Sequence, residues 1–209
     1  MKKRRLPIPL ILLIPIVLLV IVIVAGLYRF SLSDEEILAK FPQAPAASAN
    51  LVMEEVFGIK TPNPWTISVP ETQAFSFINS IDASRQSAQG NYDSGAERGT
   101  VTVSLDKLVS MGSDDMARQY ASYLVVSNQG SGAFYYLATF EYDNHRQRMV
   151  LKDSAFVGDR VSVSELRYQN GRVELVVLEH GTDQAKSSTP KSQAIYQYDI
   201  SSRLKIKAL

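Results

Sequence analysis

The chain has 209 residues, with 22 Lys and Arg against 21 Asp and Glu, two His and no Cys. That length predicts one or two domains. The near balance of charge, with no basic run beyond the first five residues, excludes the clustered cations that nucleic-acid binding selects, and the lack of cysteine excludes disulfides, thiolate catalysis and Cys-ligated metal.

The first element is set apart by composition. MKKRR places four cations in residues 1–5, and Leu6 to Leu27 is then free of charged and polar side chains. As a helix those 22 residues would rise about 33 Å, enough for a hydrocarbon core of about 30 Å. Pro7 and Pro9 fall at the helix start, where a missing N–H costs little. Pro15 is interior and predicts a kink that membrane helices tolerate. A cleaved signal peptide has a shorter apolar region and a small-x-small site; Val24 and Gly26 match that poorly. The stretch VAGL would be a lipoprotein cleavage box with Cys at position 27, but Leu27 takes no lipid. The reading is a basic cytoplasmic tail at 1–5 and an uncleaved transmembrane anchor at 6–28. The basic flank holds the N-terminus in the cytoplasm of a bacterium and places the rest outside its inner membrane, in the periplasm. Pro15 and Leu27 are candidate positions for packing against other membrane helices. Without the tail, 18 Lys and Arg face 21 Asp and Glu, a net of −3.

Residues 29–64 read as short helices and a spacer. Ser33 and Glu36 form a capping-box pattern, predicting a helix to about Lys40. PQAPAAS breaks it. In SANLVMEEVFG, Val52 with Val56 and Met53 with Phe57 recur at helical spacing, and Gly58 is a stop. TPNPW reads as loop. From 65 to 98, WTISV and AFSFINSI can form strands, while DASRQSAQGNYDSGAERG is polar and reads as loop. From Gly99 the pattern is strands: TVTVSL, QYASYLVVS, GAFYYLATFEY, RQRMVL, RVSVSELRY, RVELVVLE and SQAIYQYDI, with RLKIKAL as an extension. Asn170-Gly171 between two strand patterns is a type I′ hairpin signal. The expected fold is mainly β, an antiparallel sandwich or open barrel of about seven strands, with a domain at 65–209 and its core at 99–200.

Sites for chemistry are sparse. His145 sits in a polar hairpin turn. His180 opens HGTD, where pairing with Glu179 or Asp183 would make a general base. Ser131 lacks the G-x-S-x-G elbow and the helix N-terminus that cradles phosphate. The acidic SDD at 113–115 lacks calcium-loop spacing. No metal and no cofactor is expected. On alternate strand positions Phe134, Tyr136, Ala138 and Phe140 face a core, and Tyr135 faces outward. Trp65, in a Pro-rich stretch, and Tyr135 are the candidate exposed contact residues.

The stretch from Leu124 to Tyr198 resembles a poorly characterised β-domain of bacterial envelope proteins, many of them lipoproteins. The likeness lies in GSGAFYY (Gly130, Gly132, Phe134, Tyr135, Tyr136), in FVGDRVSVSEL (Gly158, Asp159, Arg160), in the turn Asn170-Gly171 and in His180-Gly181. Ser187 and Ser188 stand where such domains often carry two cysteines, and SMGSDDMARQY replaces their calcium-like loop. The resemblance implies an envelope location and β architecture, and it supplies no catalytic residue. The expectation is a non-catalytic, single-pass accessory or assembly subunit of an envelope complex, respiratory or photosynthetic being candidates. Its expected partners are the bilayer and other membrane subunits. A cell-envelope hydrolase with a site near His180, and a periplasmic ligand or lipid binding module, are the alternatives.

Overall fold

A computed structural model describes residues 10–31, 50–112, 118–130 and 132–209. The chain divides into two compact units, 1–47 and 48–209. The helix expected at Ser33–Lys40, the spacer, the acidic SDD and Ser131 lie outside the described residues.

In the first unit, α1 runs from Leu10 to Ser31 and continues through Pro15. Its described side chains cover 13–26, about 21 Å of rise, and those from Leu13 to Ala25, Pro15 included, are exposed. Among the described residues no helix is long and apolar enough to cross a membrane.

The second unit begins with α2, Leu51–Phe57. The Asn50 side chain accepts the Met53 N–H at 3.2 Å, and Gly58 ends the helix at φ +64°, the left-handed stop that Gly permits. Strands follow: β1 Trp65–Ser68, β2 Phe75–Ile78, β3 Ser80–Asp82, β4 Ser87–Asp93, β5 Arg98–Ser104, β6 Val109–Ser110, β7 Gln119–Asn128, β8 Ala133–Asp143 and β9 Arg148–Asp159. They form a nearly closed, mixed barrel in the order β2-β1-β9-β8-β7-β5-β4-β3, with β6 beside β7. Asn79 alone separates β2 from β3, so one continuous stretch serves both ends of the sheet: its first half pairs with β1 and its second with β4. The Ser76 hydroxyl donates to the Asn91 carbonyl at 3.1 Å, and a Cβ on Gly90 would lie 2.2 Å from the Phe77 carbonyl oxygen. The two backbones approach there as only a glycine allows. Beside β1 the ring is completed by a parallel pairing with β9, Thr66 opposite Val150.

Small barrels are filled by side chains, and this one holds Trp65, Ile67, Ile78, Leu124, Phe140 and Met149, all fully buried. Val52 and Met53 of α2 join the same core. Phe57 meets the Trp65 ring edge-on at 4.9 Å, and Trp65 meets Phe140 at 5.0 Å. A second core lies on the outer face of β7–β9. Ala121, Leu137 and Val157 point into it, opposite Leu166, Val173, Leu175, Val177 and Tyr198. These come from a four-stranded antiparallel sheet, β10 Ser162–Gln169, β11 Arg172–Glu179, β12 Ser192–Ile200 and β13 Ile206–Ala208.

Several expectations are corrected. The architecture is mainly β but mixed, not purely antiparallel, and the described residues hold thirteen strands, not seven. The polar stretch around 87–93 is a strand, β4. Its inward positions are Ala88, Gly90 and Tyr92, and the small Ala88 and Gly90 hide the usual apolar alternation. The core therefore reaches well upstream of Gly99. RLKIKAL does not lengthen the preceding strand but doubles back on it as β13.

Candidate functional site

Trp65 is not an exposed contact. It opens β1 at 0 % exposure, because TPNPW delivers it onto an inward position rather than leaving it in a loop. Tyr135 does face out of the barrel, but the second sheet covers that face. Its ring is half-buried against the second core and stacks on Tyr123 at 5.8 Å. Burial pushes its hydroxyl up from the ordinary tyrosine value. Phe134 and Tyr136 belong with the barrel core as expected. Pro15 and Leu27 lie within α1.

The motif residues assemble in part. Pairing of β8 with β9 sets Phe134 opposite Asp159 and Tyr135 opposite Gly158. The Asp159 carboxylate accepts the Ala133 N–H at 3.2 Å and pairs with Arg160 at 3.3 Å, and the Arg160 N–H reaches the Ala133 carbonyl at 2.8 Å. A Cβ on Gly132 would lie 2.8 Å from the Phe134 ring, and the Gly130 N–H is tied to the Asn128 side chain at 3.0 Å. Asn170 and Gly171, at φ +51° and +79°, form the expected primed turn,. They sit at one end of β11, with His180 and Gly181 just past the other. The motif is thus a set of strand ends, not one pocket.

His180 is held by its surroundings. Its Nε2 lies 2.8 Å from the Ser188 carbonyl, and its Nδ1 is buried without a hydrogen-bond partner among the described residues. Glu179, one of the two carboxylates that could pair with it, accepts the Tyr196 hydroxyl. The Gly181 N–H donates to the Gln184 side chain at 3.3 Å. His145 lies in the β8–β9 turn, its N–H bound to Asp143 at 3.0 Å. Among the described residues no three His, Asp or Glu gather where they would share a metal ion.

Elsewhere a cleft of about 1030 Å³ runs along the β1–β9 seam. Outward positions of β1 and β9, the β8–β9 turn and the loop before β13 line it. The sequence builds its charged wall in two steps. On β9, Arg148, Val150 and Lys152 fall at alternate positions near the seam. From the other side, Leu204 inserts into the second core at φ +60°, its carbonyl accepting the Thr139 hydroxyl at 2.8 Å. That anchor holds Arg203 and Lys205, one residue to each side, over the cleft. The walls carry Arg146, Arg148, Lys152, Arg203 and Lys205 against Glu141 and Asp143, an excess of three positive charges. Lys152 reaches Glu141 at 2.8 Å, and this hydrogen bond holds the Glu141 carboxyl below the ordinary glutamate range. Arg146 binds Asp143 at 3.2 Å, and Lys205 lies 3.6 Å from Asp153. Arg148 and Arg203 have no acidic partner among the described residues.

Phe75 forms one rim. It and Phe77 occupy the outward positions of β2, 59 % and 50 % exposed, opposite Ser68 and Thr66 on β1. Alternation in AFSFINSI marks a strand, but it gives no sign that the aromatic face is the outer one and Ser76 the inner. The cleft itself had no local signal, since its walls come from residues about 55 positions apart in β9 and the loop before β13. No family model matches this chain, and no curated protein or solved structure matches it either.

Proposed function

We propose that this chain is a non-catalytic, single-pass membrane protein whose outer β-domain binds a protein partner. In this reading it serves as an accessory or assembly subunit of a bacterial envelope complex, a respiratory or photosynthetic one being the kind envisaged. The observation that carries the reading is the exposed Phe75 and Phe77 pair beside the cationic cleft, on a barrel whose interior is already filled. Aromatic side chains next to arginines are the groups that dominate protein interfaces. A packed interior is ill suited to carrying a ligand or lipid inside the barrel.

The membrane part of the reading rests on the sequence run Leu6–Leu27 and on the helical backbone from Leu10. A helix apolar on all sides is stable within an apolar medium or packed against other helices. The basic MKKRR would keep the N-terminus in the cytoplasm. The hydrolase alternative is weakened by the fixed Nε2 of His180 and by the engagement of Glu179 elsewhere.

Two measurements test this. Membranes from cells making the full chain should retain it through alkaline carbonate washing and release it into mild detergent. The detergent extract should then carry it at the mass of a complex, with one or more proteins in fixed ratio. Release by carbonate removes the anchor from the proposal, and migration at the mass of the chain by itself removes the subunit role.

A further inference from the structure

The cleft differs in sign from the chain around it: beyond the basic tail the sequence is net −3, yet the cleft walls are positive by three. Resting on the subunit reading above, we propose that the cleft receives an acidic, extended segment of the partner protein, laid along β9.

Three features select that occupant. First, the cations are spread out. Arg148 and Lys152 are four residues apart on β9, roughly 13 Å at strand rise, and Arg203 and Lys205 follow a second line from the opposite wall. A single compact anion would be met by groups converging on one point. An extended peptide repeats its side chains on one face about every 7 Å, so carboxylates on alternate residues meet this spacing. Second, Arg148 and Arg203 lack acidic partners among the described residues, while Lys152 and Lys205 have partners they can exchange. Third, beyond Val150 the described ladder pairings of β9 lie on its β8 side, and on its other edge the Lys152 carbonyl accepts from the exposed Lys205 ammonium at 3.4 Å, a contact that the N–H of an added strand can displace,. Phe75 at the rim supplies an apolar contact. A broad anionic surface such as a membrane would meet the negative balance of the rest of the domain, whereas a short acidic segment meets the cleft.

The test uses the full chain in a non-ionic detergent. The probe is a fluorescent peptide of alternating Glu and Val, with a Lys–Val peptide as control and inorganic phosphate and phosphatidylglycerol vesicles as competitors. The Glu–Val peptide should bind, more weakly as salt rises, and the double variant Arg148→Gln, Arg203→Gln should bind at least about tenfold more weakly with its thermal midpoint unchanged. If the Arg148 change lowers the folded fraction, Arg203→Gln with Lys205→Gln, both exposed, replaces it. Equal binding of both peptides, undiminished binding by the variants, or displacement of the peptide by phosphate or vesicles at matched charge each overturns the proposal. Co-purification separates the two readings. A native partner retained undiminished by the variants overturns the cleft assignment and leaves the subunit role standing. A wild-type chain without partners overturns the subunit role, and the peptide then decides the cleft.

Discussion

Trp65 carries the largest fully buried side chain among the described residues, and its indole N–H has no hydrogen-bond partner among them. Truncation to Ala removes the ring that Phe57 and Phe140 both abut, and large-to-small changes of this kind cost about 3–5 kcal/mol. Trp65→Phe keeps an aromatic wall and discards an unsatisfied donor, whose burial itself carries a penalty. Chemical denaturation should therefore rank wild type above Trp65→Phe, and Trp65→Phe well above Trp65→Ala. Tyr196 gives a pH prediction. Its hydrogen bond to Glu179 holds the phenol protonated and pushes its value up to about 12, against about 10 unfolded,. The folded value is raised, so this stabilisation is complete below pH about 10 and disappears as pH climbs toward about 12. Thermal midpoints of wild type should fall across that window, and Tyr196→Phe should flatten the fall. An unchanged slope would mean the bond does not stabilise the fold.

Among the elements, β8 and β9 do most to shape the domain. Tyr136, Ala138 and Phe140 of β8 enter the barrel, and Leu137 enters the second core between them. Such strands are apolar on both faces, which is why GAFYYLATFEY is so easily seen in the sequence. Asn170-Gly171 was equally legible, because its chemistry demands positive φ at two adjacent positions. β4 was not, since Ala88 and Gly90 trade hydrophobicity for close approach. Nor was the β1–β9 pairing, for parallel neighbours distant in sequence leave no local trace. The same division governs the site. Tyr135 was correctly turned away from the barrel, but its cover by β10–β13 is tertiary. Phe75 and Phe77 were visible as a strand whose outward side the pattern does not name. Gly90 tests the crossing of β2 and β4. Gly90→Ala should destabilise the domain by several kcal/mol, beyond the ordinary strand preference of about 1 kcal/mol, because its Cβ meets backbone that a side-chain rotation cannot move. Hydrogen exchange in β2 and β4 should rise first. A variant as stable as wild type would show that the two strands are not held this close.

At the scale of the whole β-domain, the two cores share the strands β7–β9, so neither is complete without them. Phe140→Ala in the barrel and Leu175→Ala under the second sheet should each lower one and the same thermal transition, by about 3–5 and 2–5 kcal/mol respectively. Calorimetry that resolves two peaks, with each substitution moving a different one, would overturn this coupling. The charge pattern also belongs to this scale, since the cleft is assembled from strand, turn and C-terminal loop and exists only once the sheets are in place.

The parallel contact of Thr66 with Val150 joins residues 84 positions apart. A ribosome adding about 5–20 residues per second needs roughly 4 to 17 s to make the second after the first. For most of that interval Trp65, Ile67 and Ile78 have been synthesised and the β9 that completes their cover has not. The domain cannot close progressively from its N-terminal end. It must wait with an aromatic and aliphatic surface uncovered until β9 arrives.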